Sequence, residues 1–261
     1  AAFTTHPYRF PTIGWPDDIR AWRLEDLQRF HRTYYAPNNL TLTLAGDVDP
    51  DEALDLVRRY FEPIAAQAPP LPVAEREPPQ LAERRVRMRR KVQTPLVQCA
   101  YKAPAAADER ASAIHLLMSV LMEGDASRLH RALVEERRLA IEVGGHWQEG
   151  FDPGLLWVSL TLPQDADPDH ALAVLDAQLA RVIAQGVTQA ELERARNLAM
   201  VGFWKRLATI DGKAHLLGEY AVFHDRWAAL FDAPARLAAV SREELRATAA
   251  TIFVASRRTV G

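Results

Sequence analysis

The longest apolar-periodic stretch of the chain runs from Thr188 to Asp225, TQAELERARNLAMVGFWKRLATIDGKAHLLGEYAVFHD. Leu192, Ala195, Leu198, Ala199 and Phe203 fall on one face at helical spacing. Thr188 followed by Glu191 is a capping-box start, in which two side chains satisfy backbone N–H groups that a helix end leaves open. Gly212 interrupts the pattern, so it predicts two consecutive helices, the second carrying Leu216, Leu217, Tyr220 and Phe223. Helices this apolar need a sheet or other helices to cover them. We read the pair as a packing scaffold and not as a site of chemistry.

Earlier in the chain, Pro7, Pro11 and Pro16 predict a loop over residues 1–20. Ala21 to Tyr34 reads as a helix with Trp22, Leu27, Phe30 and Tyr34 roughly on one face. The turn signal Ala36-Pro37-Asn38-Asn39 leads into Leu40–Ala45, whose alternation of Leu40, Leu42 and Leu44 predicts a half-buried strand. Asp49, Pro50 and Glu52 open a further helix with Leu54, Val57 and Phe61 inward. One strand between two helices makes no sheet, so this piece is expected to complete a sheet built elsewhere.

Residues 62–83 carry Pro63, Pro69, Pro70, Pro72, Pro78 and Pro79 with little periodicity, the signature of an extended linker. Beyond it lie a basic stretch, Arg84–Lys91, and predicted strands over Thr94–Lys102, Ile141–Trp147 and Leu155–Leu162. Predicted helices cover Glu109–Met122 (Ile114, Leu117, Met118 and Leu121 inward), Ser127–Arg137 and Pro168–Gln185, the last closed by Gly186. Ser241 with Glu244 caps the last helix, and Phe253–Val260 reads as a final strand. The fold class is α+β, a mostly antiparallel sheet with helices on one face. The domain reading is 1–61 as the tail of a preceding similar domain, 62–92 as linker and entry strand, and 93–261 as a second domain.

Composition narrows the function without naming it. The 261 residues carry a net charge of −2, with 48% hydrophobic and 25% charged residues. No global field points to nucleic acid or membrane. RRVRMRRK is strongly basic, but Val86 and Met88 alternate with the arginines and no aromatic residue interleaves, so we read a strand with one wet face. No apolar run reaches the roughly 18 residues of a membrane span. The first residues lack the basic and apolar regions of a signal peptide and a starting Met, which suggests a fragment or a processed chain.

Candidate chemistry is thin. None of the eight histidines sits in H-E-x-x-H or H-x-x-E-H, and G-x-S-x-G, Walker A and G-x-G-x-x-G are missing. His215 and Glu219 lie one helical turn apart, but a catalytic zinc takes three protein ligands and His224 is on the wrong turn. His115 reads as a semi-buried core histidine. The single cysteine, Cys99, reads as a buried inert thiol. No self-sufficient catalytic constellation emerges, so the chain is expected to hold no metal and to have no catalytic residues of its own.

The segments His6-Pro7-Tyr8-Arg9, Ile13-Gly14-Trp15, Phe30 through Asn39 and Gly46-Asp47-Val48-Asp49 resemble the insulinase/pitrilysin family of zinc peptidases, in its bacterial, processing-peptidase-like branch. Gly124-Asp125-Ala126-Ser127-Arg128-Leu129 through Leu139-Ala140 is a second family-like patch. The resemblance implies two related α+β domains joined by a linker. It places H-x-x-E-H and the zinc ligands upstream of His6-Pro7-Tyr8-Arg9, in a preceding region of the parent protein. Active members also use an Arg and a Tyr spaced R-x6-Y after the G-x-x-S-R-L patch. The corresponding positions here are Val134 and Ile141, which donate no hydrogen bond.

The resemblance therefore implies the non-catalytic part of a zinc metallopeptidase, forming the chamber wall opposite the zinc domain and binding peptide substrate. A second family subunit would supply the Arg/Tyr pair; a homo-oligomer is the alternative assembly. A catalytically inactive structural or assembly subunit is the alternative. The compartment stays open between periplasm and cytoplasm, bacterial relatives favouring the periplasm.

Overall fold

The computed structural model describes residues 1–261. The chain divides into two packing units: Ala1–Ala2 with Pro79–Lys205 and Ala228–Gly261, and Phe3–Pro78 with Arg206–Trp227.

The larger unit is built on a five-stranded sheet of β1 (Arg84–Arg85), β2 (Leu96–Lys102), β3 (Glu142–Trp147), β4 (Leu155–Thr161) and β5 (Arg258–Val260), in the order β1-β5-β2-β4-β3. All pairs are antiparallel except β1 with β5, so the expected α+β class with a mostly antiparallel sheet is what forms. Alternation sets the faces. Val97, Cys99 and Tyr101 of β2 and Leu156, Val158 and Leu160 of β4 are buried in the core. Gln98, Trp157, Ser159 and Thr161 fall between them and stay half-buried.

Helices cover the core side. In α4 (Ala111–Met122), Ala113, Ile114, Leu116, Leu117, Val120 and Leu121 are all buried. A helix apolar nearly all round lies inside the fold. Met122 fills the space over Gly145, where an added Cβ would sit 2.4 Å from its sulfur. Helix α6 spans Pro168–Gln185 as expected, N-capped by Asp167 and closed by Gly186 at φ 73°. Helix α9 (Arg242–Ile252) starts at Ser241, whose hydroxyl accepts from the Glu244 N–H at 3.0 Å.

The long apolar segment forms two helices, α7 (Gln189–Leu207) and α8 (Ile210–Phe223). The break falls at residues 208–209, ahead of Gly212. Thr209 caps α8 by accepting from the Gly212 N–H at 3.0 Å. A Cβ on Gly212 would lie 1.9 Å from the Arg206 carbonyl oxygen, so only glycine allows the chain to turn this tightly.

Several expectations change. Pro16 begins a helix, α1 (Pro16–Ala21), at the one position where its missing N–H costs nothing. The helix expected over Ala21–Tyr34 is broken at Trp22–Arg23 and resumes as α2 (Leu24–Tyr34). The strand expected over Leu40–Ala45 has no ladder partner; it is extended, with Leu40, Leu42 and Leu44 exposed. Helix α8 passes this segment where Gly218 approaches Thr43, a Cβ there meeting Thr43 Oγ1 at 3.4 Å. The amphipathic α2 and α3 (Pro50–Phe61) bury no residue, because a lone extended segment offers no sheet for them to cover.

The basic stretch forms a strand only at Arg84–Arg85, and the last strand is three residues long after a 3-10 turn at Ala255–Arg257. The proline-rich residues 65–82 carry no helix or strand. They are held at two points: Asn38 exchanges hydrogen bonds with the Gln67 backbone, and the Glu77 carboxylate accepts from the N–H groups of Thr4, Thr5 and His6.

Candidate functional site

The second family-like patch lies on the connection between α4 and β3. Gly124 turns the chain after α4 with φ 74°, a left-handed conformation that glycine adopts without steric cost. Ser127 then starts a short α5 (Arg128–His130), which widens into a π-helix over Arg131–Glu136. The expected helix over Ser127–Arg137 is therefore present but changes its winding midway. The Leu133 carbonyl accepts from both the Leu139 and Ala140 N–H groups, and Arg138 sits between at φ 53°. Ile141 N–H then donates to the Thr161 carbonyl at 2.7 Å, which starts the β3–β4 pairing.

Val134 lies in the π-helix, partly buried against the core. Ile141 stands at the mouth of β3, 55% exposed. Neither side chain carries a polar hydrogen. Whatever faces them meets hydrocarbon, and a developing negative charge there finds no donor from these two positions.

The neighbouring cation is already committed. Arg128 Nε donates to Glu191 Oε1 at 2.6 Å, and its Nη2 donates to Glu191 Oε2 at 2.7 Å and to the Gly186 carbonyl at 3.1 Å. Glu191 also accepts from the Thr188 N–H and hydroxyl, so the capping box read from the sequence doubles as an arginine receptor. Burial works against ionisation of Glu191, but Arg128 and Thr188 outweigh it and hold its carboxyl at about 2. Arg194 reaches back from α7 to the Ser119 and Glu123 carbonyls, satisfying the open C-terminus of α4. This brace between α4, α5 and α7 was not legible in the sequence. Its one signal was the double role open to Glu191.

The other sequence candidates stay apart. His215 Nε2 lies 3.8 Å from Glu219 Oε2, which also accepts from Arg206 at 3.0 Å, and His224 stacks on Tyr220. His115 is 3.5 Å from Glu149 and meets Trp147 edge-on. No three His, Cys, Asp or Glu side chains converge, so these residues do not form a metal-ligand set. Cys99 is fully buried on β2, and burial pushes its thiol up to about 12, far from the thiolate that nucleophilic chemistry needs. Near it Arg258 forks onto Asp176, bonds Glu83 at 2.5 Å and donates to the Tyr101 hydroxyl at 3.4 Å. That cation ties β5 to α6, β2 and the end of the linker and is not open to a ligand.

Comparison with known proteins supplies what these contacts do not. Residues 21–199 match the family model described as the peptidase M16 inactive domain. The zinc protease PqqE of Helicobacter pylori is 28% identical over 227 residues, which span 86% of this chain and 51% of that protein. An uncharacterized zinc protease of Streptomyces coelicolor is also 28% identical, over 93% of this chain and 54% of its own length. The chain thus spans about half the length of the curated relatives it matches. Among solved structures, a protease from Helicobacter pylori superposes with a TM-score of 0.91 at 27% identity, covering 99% of this chain and 63% of that one. A peptidase M16 inactive domain from Pseudomonas fluorescens superposes at 0.88 with 18% identity, covering 99% and 61%, a likeness of fold alone.

Proposed function

Because the chain belongs to the peptidase M16 inactive-domain family, we infer that it is the non-hydrolytic part of a zinc-peptidase protein, walling the chamber and holding peptide while another domain cuts. The resemblance to the zinc-peptidase family read from the sequence stands. The observation that carries the inference is the match of residues 21–199 to an inactive domain. The aliphatic side chains at Val134 and Ile141 agree with it, since a domain that holds substrate needs no donors at those positions.

The zinc ligands and general base would lie in a preceding region of the parent, and no step of hydrolysis runs through the residues described here. What this chain contributes is surface. Gln98, Trp157, Ser159 and Thr161 on the half-buried side of the sheet offer polar groups and one aromatic plane to an extended peptide. Residues 1–61 would belong with the preceding domain, 62–92 would link, and 93–261 would form the second domain. The open apolar stripes of α2 and α3 support the first of these boundaries, because a further sheet would cover them, whereas Arg206–Trp227 packs in one unit with Phe3–Pro78 and falls outside the division. A partner subunit with Arg and Tyr at these places would bring the pair; a second copy of this chain repeats Val134 and Ile141 and would not.

Reconstitution tests this. Full-length parent protein would be assayed on a quenched fluorescent peptide alone, then mixed with family subunits carrying R-x6-Y. Hydrolysis only on mixing, lost when the partner's Arg and Tyr are replaced by Ala, is the expected result. Full activity from homogeneous parent alone would sink the partner requirement.

A further inference from the structure

The basic segment Arg84–Lys91 is where sequence pattern and structure disagree most usefully. The alternation of Val86 and Met88 with arginines is strand-like, yet the ladder ends early. β1 is two residues long, and one further bond, Val86 N–H to the Val260 carbonyl at 2.8 Å, extends it. From Arg85 to Thr94 every residue is exposed, Met88 by 77% and Val92 by 63%. The strand order puts β1 at the outer edge of the sheet, so alternate backbone groups of β1 face away from β5. A strand-forming sequence runs on from this edge strand, and beyond Val86 it has no ladder partner.

Its charge is lopsided. Arg84, Arg85, Arg87, Arg89, Arg90 and Lys91 are six cations in eight residues without a carboxylate among them. Glu83 and Asp169 engage Arg85 and Arg87, and Arg84 donates to the Ala1 and Ala2 carbonyls. Arg89, Arg90 and Lys91 meet no carboxylate.

We propose that the β1 edge with its Arg87–Lys91 extension is a docking strand for an acidic, extended polypeptide segment, which adds to the sheet by backbone pairing and sets its carboxylates against Arg89, Arg90 and Lys91. Backbone pairing supplies affinity, and the cations choose the partner. Charge on an edge strand commonly repels other strands. That repulsion acts against basic and neutral strands; an acidic one is attracted. A polyanionic surface fits less well. Against a total of −2, the six cations leave −8 on the remainder of the chain, which opposes broad contact with a nucleic acid or an anionic bilayer but not with one narrow strand. Phosphate oxygens on those surfaces can accept from the open N–H groups but offer no donors for the open C=O groups, which a pairing strand satisfies as well. This inference is independent of the peptidase reading above.

The test uses the whole 261-residue chain and a fluorescein-labelled decapeptide of alternating glutamate and valine, followed by anisotropy. Controls are the same peptide N-methylated at alternate bonds and a lysine-valine peptide. The acidic peptide is expected to bind, to weaken roughly tenfold between about 50 and about 300 mM salt, and to slow amide exchange over residues 86–91. Combined Arg89→Glu, Arg90→Glu and Lys91→Glu should abolish binding; these side chains make no internal bond, so the fold should keep its melting temperature. Arg181→Glu with Arg242→Glu, on other exposed positions, should leave binding intact. The proposal is overturned if the acidic peptide does not bind, or if the N-methylated peptide binds equally. It also fails if the triple variant binds as before, or if an oligothymidine strand or phosphatidylglycerol vesicles bind in preference.

Discussion

Arg128 forks onto Glu191 with N–O distances of 2.6 and 2.7 Å, joining the start of α5 to the first turn of α7 across 63 residues. Both side chains are mostly shielded from solvent, so this pair is stronger than an exposed ion pair. Arg128→Ala strands the Glu191 carboxylate and is expected to cost about 2 kcal/mol in denaturant unfolding. Glu191 is ordinarily near 4.5 and is held at about 2 in the fold. Its folded value is depressed, so its contribution is complete above pH 4.5 and is lost as pH falls toward 2. Glu191→Gln should flatten that part of the stability–pH curve; a curve unchanged between wild type and variant would contradict the assignment.

Gly212 is expected to be the least replaceable glycine of the α7–α8 pair. An alanine Cβ would collide with the Arg206 carbonyl oxygen at 1.9 Å, and backbone cannot yield as a side-chain tip can. Gly212→Ala should cost about 2–3 kcal/mol. Gly202, inside α7 with nothing near its Cβ position, is the contrast: Gly202→Ala should stabilise by about 0.5–1 kcal/mol. Thermal melts of the two variants should move in opposite directions.

Val134 and Ile141 should respond unequally to donors placed on them. Ile141→Tyr, at an exposed strand mouth, is expected to stay within about 0.5 kcal/mol of wild type. Val134→Arg loses contacts with the core and should cost about 1–2 kcal/mol. In full-length parent protein the double variant is expected to raise peptide hydrolysis without a partner. One well-placed donor is worth roughly 10²–10³ in rate, so an unchanged rate in a folded double variant would mean that the pair does not limit activity.

Trypsin should cut early at Arg76, exposed within the irregular residues 65–82, and at the equally exposed Arg89–Lys91 segment, before it cuts inside α7 or α8. Burial opposes ionisation of the adjacent Glu77, yet the N–H groups of Thr5, Thr4 and His6 hold its carboxyl at about 2. Glu77→Ala removes this tether and should speed cleavage at Arg76, read by mass spectrometry of early digests. First cuts inside α7 or α8 would show the linker to be the more protected part.

Local patterns were enough wherever a structure is closed by neighbours in sequence. Thr188 with Glu191, Ser241 with Glu244, and the span Pro168–Gln185 ending at Gly186 could be read directly, because a helix satisfies its own backbone and its caps lie within four residues. The core strands were legible from apolar runs, which hold their period whatever they pair with. Pairing itself was not legible. Leu40–Ala45 and Arg84–Lys91 carry strand patterns of the same kind as β2, but a strand exists only where another backbone meets its N–H and C=O groups. Tertiary structure alone brought Arg258–Val260 between β1 and β2 and left those two segments largely unpaired. It alone carried Arg128 to Glu191, since a side-chain partner 63 residues away leaves no periodic trace. The missing donors at Val134 and Ile141 were written in the sequence. Their setting, one half-buried in a π-helix and one open at the mouth of β3, was decided only when the sheet and α4 packed together.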